Sequence, residues 1–167
     1  MVIGPEGIKI EEEKVKGVLE WLTSKCVKDI QKFLGLVNYY CQFIEGFASI
    51  ARPLHDMVKK DKRWNWTEKQ EKAFKELKEQ FTKELVLVVL DLDKKIRMEV
   101  DTSDYATKRV LSIKCKDRLW RPVAFLSKSL NKTERNYKIY DKEMLTIIWG
   151  LESWRYLLKG VQSKFEI

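Results

Sequence analysis

The sequence predicts an α+β fold: a helical unit over residues 1–85, followed by a β-β-β-α unit over residues 86–167. Three observations carry this. Val27, Ile30, Leu34, Val37, Cys41 and Ile44 recur at spacings of three and four, one face of a 3.6-residue helix. Ile96, Met98 and Val100 alternate with Arg97, Glu99 and Asp101, the period of a half-buried strand. Asn131 followed by Glu134 is a helix-start pair that leads into a long apolar-periodic segment.

The elements follow in order. Val15, Val18, Leu19 and Leu22 make a short amphipathic helix face. The helix over residues 27–44 is widened by Phe33, Tyr40 and Phe43, and it contains Gly35 at a cost of about 1 kcal/mol relative to Ala. That cost predicts close approach by another backbone, either a packed helix or a nucleic-acid strand. Pro53 predicts the first position of a new short helix carrying Leu54, Met57 and Val58. A charged turn, Lys59-Lys60-Asp61-Lys62-Arg63, precedes a capping box at Thr67 and Gln70, and Gln70, Phe74, Leu77 and Phe81 form the next helical face. Residues 86–90 are a short β-rich run. Residues 110–115 and 120–126 are two further strands joined by the turn Lys116-Asp117-Arg118. A long helix then runs from Asn131 to about residue 158, with Tyr140, Met144, Ile147, Ile148, Leu151, Trp154 and Leu158 as its buried stripe and Gly160 as its stop. A trailing strand begins at Phe165. Three strands under one helix leave a sheet face or edge bare, which predicts either missing downstream structure or a partner that completes the sheet.

Composition excludes several classes. The chain is 44% hydrophobic, a folding composition rather than a disordered one. No apolar run approaches the roughly 18–20 residues of a membrane span, and no signal peptide follows Met1, which points to the cytosol or nucleus and away from membranes. Cys26, Cys41 and Cys115 are odd in number and far apart, and with His55 as the single histidine no zinc pattern can be written; buried free thiols are expected. One His and no nucleophile elbow argue against a Ser-His-Asp hydrolase. The net charge of +8 fits a polyanionic partner, nucleic acid first, or a Lys-rich solubilising surface, because acidic residues interleave with the basic ones.

Two carboxylates stand out. Asp101 ends a strand and points away from the side of Val100, a position used by metal ligands and also by turn-formers. Glu143 falls on the rim of the long helix's apolar stripe, beside Ile147 and Trp154, where it needs a partner: a metal or a neighbouring Lys or Arg.

The order of motifs resembles a known family. Glu99-Val100-Asp101-Thr102-Ser103-Asp104-Tyr105-Ala106 with Val110-Leu111-Ser112 resembles the start of the RNase H domain in Ty3/Gypsy-type LTR-retrotransposon reverse transcriptases. Pro122-Val123-Ala124-Phe125-Leu126-Ser127-Lys128-Ser129-Leu130 is similar to that domain's third strand. Glu134-Arg135-Asn136-Tyr137 and Tyr140-Asp141-Lys142-Glu143-Met144-Leu145 are similar to its first long helix, and Trp154-Arg155-Tyr156-Leu157-Leu158-Lys159-Gly160 to that helix's end. Phe33-Leu34-Gly35-Leu36-Val37-Asn38-Tyr39-Tyr40, Phe43-Ile44, Pro53-Leu54 and Trp66-Thr67 resemble the thumb and connection region of the same polyprotein. The likeness is collinear over essentially the whole chain. It departs at Lys108-Arg109, where Gly-Ala is usual, at Ile113, where Gln is usual, and at Leu85, Leu90 and Lys95, where prolines are common. A Lys in place of Gly argues against close backbone approach by a hybrid; two cations there equally argue for phosphate contact.

The resemblance implies a thumb/connection-like segment followed by a partial RNase H-like domain. Such domains cut the RNA strand of an RNA/DNA hybrid with two Mg²⁺ ions held by four carboxylates. Asp101 and Glu143 would be two of these, as catalytic residues and metal ligands. The other two, and the polymerase aspartates, would fall beyond Ile167 and before Met1, so the expectation is a nucleic-acid-binding remnant that is inactive alone. Lys28, Gln31, Lys32 and Asn38 on the thumb-like helix would contact phosphate or sugar of a hybrid or duplex, as would Lys108, Arg109, Arg135 and Asn136. A second reading is a domesticated protein-interaction module that recruits a partner, or a second copy, through the open sheet. A third retains activity with Asp91, Asp93, Asp104 or Asp141 in place of the missing carboxylates.

Overall fold

A computed structural model describes residues 1–167 apart from 5, 6, 24, 61, 84, 85 and 162–164. Asp61 of the charged turn and Leu85, with the predicted boundary between units, lie outside the described residues. The chain opens with β1 (Val2–Gly4) and β2 (Gly7–Lys9), an antiparallel pair that sequence reading did not anticipate. Helix α1 (Glu12–Leu19) buries Val18, and Leu22 lies beyond it in solvent.

Helix α2 (Val27–Tyr39) buries Ile30, Phe33, Leu34 and Val37. It ends earlier than its apolar spacing predicts. From Tyr40 the chain tightens into a 3₁₀ turn, Cys41–Phe43, with i→i+3 bonds from Phe43 N–H to Tyr40 O (2.9 Å) and Ile44 N–H to Cys41 O (3.1 Å). Tyr40, Phe43 and Ile44 stay buried, so the stripe outlasts the helix.

Helix α3 (Phe47–Met57) starts at Gly46, whose φ of 68° favours glycine. Pro53 therefore sits inside this helix rather than at its start. Phe47, Ala48, Ala51, Leu54 and Met57 bury one face, and that packing carries the helix through the proline. Helix α4 (Glu68–Thr82) has the predicted capping box, with Thr67 N–H donating to Gln70 Oε1 at 3.2 Å, and it buries Ala73, Phe74, Leu77 and Phe81. Phe33 and Phe74 meet at 4.6 Å between ring centroids in the middle of this helical core.

Residues 86–90 form no strand of their own; Leu87 makes a single antiparallel bridge to Ile8. The sheet runs in the order β5-β4-β3-β6, from β3 (Ile96–Thr102), β4 (Ala106–Lys114), β5 (Trp120–Ser129) and β6 (Phe165–Glu166). The first three strands are antiparallel, and β6 joins β3 in parallel.

The predicted long helix is three pieces: α5 (Lys132–Arg135), α6 (Ile139–Ser153) and α7 (Arg155–Leu158). The Asn131/Glu134 capping box is formed, with Glu134 N–H on Asn131 Oδ1 at 2.9 Å and Asn131 N–H on Glu134 Oε2 at 2.7 Å. The predicted buried stripe holds in part: Trp154 is buried, with Ile147 and Leu158 packed into the same core. Lys142, Thr146 and Gly150 face the sheet, while Tyr140 (77% exposed), Met144 (58%), Ile148 and Leu151 face solvent. The reason is steric. A Cβ on Gly150 would come within 2.5 Å of Met98 Sδ, so the glycine at this one position lets the helix lie this close to β3.

Neither sheet face is wholly bare. One face packs Ile96, Met98, Leu111 and Ile113 against Trp154. From the other, Phe125 and Val110 enter the helical core, and Ala48 at the start of α3 donates its N–H to Ser127 Oγ at 2.8 Å. The thiols are free but not buried: Cys26 is exposed, and Cys41 and Cys115 are half-buried.

Candidate nucleic-acid interface

Helix α2 has two unlike faces. Opposite its buried row, Lys28, Gln31, Lys32, Gly35, Asn38 and Tyr39 share one row, and all are exposed. That row carries two cations and no carboxylate. The only acid of α2, Asp29, accepts the Lys25 N–H at 3.2 Å in the first turn. Nothing lies within 4 Å of a Cβ placed on Gly35. No packed helix explains this glycine. The open space instead leaves room for a ligand backbone to come close to the helix.

At the end of β3, Asp101 pairs with Lys108 across the strands, Oδ2 to Nζ 3.3 Å. The same ammonium lies 3.2 Å from Glu45, which precedes α3. Glu45 first, and Asp101 after it, hold the Lys108 ammonium above its ordinary range, against a partial burial that lowers it. A shallow groove follows this face past Glu99, Ser112 and Phe125.

Thr102, next along β3, points the other way, to Thr146 of α6 (Oγ1 to Oγ1 3.0 Å). Alternation along a strand therefore turns Asp101 away from α6, the helix that carries Glu143. Glu143 is exposed, so burial imposes no partner on it. Lys142, its neighbour, is buried along its stem and reaches Asp104 at 3.6 Å. Among the described residues no group of three or more His, Cys, Asp or Glu could hold a metal ion. These residues alone do not make a cage for paired Mg²⁺ ions.

Lys108 and Arg109 diverge. Arg109 lies beneath α6, 2% exposed, with its Nη2 on Thr107 Oγ1 at 3.2 Å and its Nε without a partner. Burial pulls its guanidinium down to about 10. It does not reach the surface, so the expected phosphate contact by Arg109 is corrected; adjacent strand residues face opposite ways. Lys128 lies 3.2 Å from the centroid of the Trp149 ring. Arg135 donates from Nε to Leu130 O at 3.0 Å, and Asn136 is exposed beside it. Glu45, Lys128 and Trp149 escaped sequence reading, because each acts across a long stretch of chain and none belongs to a local pattern.

The family of RNase H-like domains found in reverse transcriptase matches residues 66–167. That span begins ahead of α4 and so takes in a helix of the first unit together with the sheet. The chain is 38% identical over 165 residues to the Tf2-3 and Tf2-4 transposon polyproteins of Schizosaccharomyces pombe, a match over 99% of this chain and 12% of each polyprotein. It thus spans about an eighth of the curated relatives it matches. Its fold is similar to foamy viral protease-reverse transcriptase in complex with RNA/DNA hybrid, with a TM-score of 0.80 at 19% identity over 95% of this chain and 21% of that one. A foamy viral protease-reverse transcriptase dRH in complex with ds DNA is similar at a TM-score of 0.81 and 19% identity, over 95% of this chain and 28% of that one. No helix of the described residues is long and apolar enough to cross a membrane.

Proposed function

The chain belongs to the RNase H-like domain family found in reverse transcriptase, and from that premise we propose that it grips the backbone of an RNA/DNA hybrid or duplex without cutting it by itself. The observation that carries this reading is the outer row of α2: Lys28, Gln31, Lys32, Gly35, Asn38 and Tyr39, exposed, free of carboxylates, with open space above Gly35. Donors on such a row suit phosphate and sugar oxygens, which position a duplex without reading its sequence. Arg135, Asn136 and Lys108 add donors elsewhere. Foamy viral relatives of the fold in complex with hybrid and with ds DNA support the same partner class. For catalysis, Asp101 and Glu143 remain the two proposed carboxylates, with Mg²⁺ as the family's usual ion, and the pairing of Asp101 with Lys108 supports a chain inactive alone.

The test is fluorescence anisotropy of a labelled RNA/DNA hybrid over a salt series with Mg²⁺ present, with strand integrity read on a gel. The expected dissociation constant is about micromolar or weaker, and log K should fall by about 0.9 per phosphate contact for each tenfold rise in salt. Lys28→Gln with Lys32→Gln should reduce both affinity and slope. Binding that ignores salt, or none at low salt, refutes the reading; cleavage of the RNA strand refutes its inactive half.

One observation favours a second reading, a protein-interaction module. The row Tyr140, Met144, Ile148 and Leu151 on α6 is an exposed apolar stripe. It supports a sticky surface on a helix rather than on the sheet edge. Sedimentation showing a monomer at high concentration would set that reading aside.

A further inference from the structure

Two guanidinium groups from distant parts of the chain converge on one ring. Tyr105 sits in the turn between β3 and β4 and is 50% exposed. Arg52 of α3 places its Cζ 4.0 Å from the centroid of that ring, and Arg135 of α5 places its own at 5.4 Å. The turn is held firmly. Ser103 exchanges bonds with Ala106, Oγ to carbonyl O at 2.9 Å and Ala106 N–H to Oγ at 3.1 Å, and Tyr105 O accepts the Leu130 N–H at 2.8 Å. Arg135 is held too, because its Nε donates to Leu130 O.

What this cluster lacks is a counter-charge for each of its cations. Arg52 Nε forms a long ion pair with Asp56 at 3.8 Å, and Asp56 is shared with Lys59, which it meets at 2.5 Å. Glu134 is engaged with the Asn131 backbone, Asp104 with Lys142, and Asp101 with Lys108. An aromatic face attracts a cation by about 0.5–1 kcal/mol at an exposed site, but it neutralises nothing. Two like charges drawn to one ring are repelled by each other until an anion bridges them, and their forked N–H donors match the oxygens of a phosphate.

We propose that Arg52, Tyr105 and Arg135 form a clamp for one phosphodiester of a nucleic-acid strand, set across the seam between the helical unit and the sheet. The clamp rests on the proposed backbone grip and extends it to Arg52 and Tyr105, giving Arg135 a shared ring. Arg52 comes from the helical unit and Arg135 from the unit that holds the sheet, so a phosphate bound here ties the two together. Tyr105 is a positioning residue, holding both guanidinium groups in place.

Two measurements on the full chain test this. In hybrid-binding anisotropy, Arg52→Gln with Arg135→Gln should lower affinity about tenfold at low salt and cut the salt slope by about 1 to 2 phosphate equivalents, with duplex DNA weakened alike. Tyr105→Leu should weaken binding while leaving the net charge as it was, and the melting temperatures should report whether each variant is folded. Separately, arginine Nε–Hε NMR signals of the unaltered chain should shift at Arg52 and Arg135 on titration with pyrophosphate. If the hybrid binds but the double variant binds it equally well, with an unchanged slope, the clamp is overturned while the backbone grip stands. If the hybrid does not bind and pyrophosphate still shifts both arginines, the grip falls and the anion site stands. If neither signal moves and the hybrid does not bind, both fall.

Discussion

Helices α2 and α6 have similar apolar spacing in sequence and opposite fates in the fold. In α2 the predicted row is the buried row: Ile30, Phe33, Leu34 and Val37 join the helical core, where Phe33 meets Phe74 of α4 and the Trp21 ring. In α6 four members of the predicted row, Tyr140, Met144, Ile148 and Leu151, lie in solvent, while Ile147, and Trp154 and Leu158 beyond it, pack on the sheet and Lys142, Thr146 and Gly150 take the inner side. Spacing tells which residues share a face; it does not tell which face meets the core. Where the partner surface is wide and made of other helices, bulky side chains fill the gap. Where the helix lies close on a strand, the small residue takes the closest contact, at Gly150 over Met98, and Tyr140, Met144, Ile148 and Leu151 are turned outward.

The largest expected effect contrasts the two rows directly. Phe33→Ala should lower unfolding free energy by about 3–5 kcal/mol, and Met144→Ala should change it by no more than about 0.5 kcal/mol, both read from urea midpoints. A large loss at Met144 would mean that the α6 row is covered in solution. Next comes the polar filling beneath α6. Arg109→Met removes a buried cation whose Nε has no partner, and it should raise stability by about 1–3 kcal/mol in the same assay. A loss there would show that the guanidinium is satisfied after all. Effects of opposite sign come from two helical glycines, Gly150 and Gly35. Gly150→Ala forces a Cβ onto Met98 and should cost about 1–3 kcal/mol, whereas Gly35→Ala meets open space and should gain up to about 1 kcal/mol. A destabilised Gly35→Ala would mean that its outer side is occupied.

Local chemistry was legible in the sequence, and long-range geometry was not. The capping boxes at Thr67 and Asn131, the three antiparallel strands and the trailing strand at Phe165 all rest on neighbours within a few residues. The early end of α2 at Tyr39, the passage of α3 through Pro53 and the loss of a strand over residues 86–90 depend on packing that the local pattern does not contain. The site divides the same way. Strand alternation was enough to turn Asp101 away from Val100, and helical spacing to align Lys28, Gln31, Lys32 and Asn38. Glu45, Arg52 and Tyr105 came to light only once the units were folded together, because what they do is meet residues far along the chain. Arg109 was misread because a dipeptide of two cations was treated as one patch, although a strand sends its two members to opposite sides.

The helical core takes Phe125 from β5 and Val110 from β4. This has a consequence for how such a chain can be reshuffled in evolution. A recombination breakpoint between the helices and the sheet would divide the sequence without dividing its interior. The strand half would carry away a phenylalanine that belongs to the helices, and the helices would be left with a hole its size. A crossover at this point would keep the core filled only where the incoming sheet brings a matching aromatic. Helices and sheet share one interior, and a chain that keeps it keeps both.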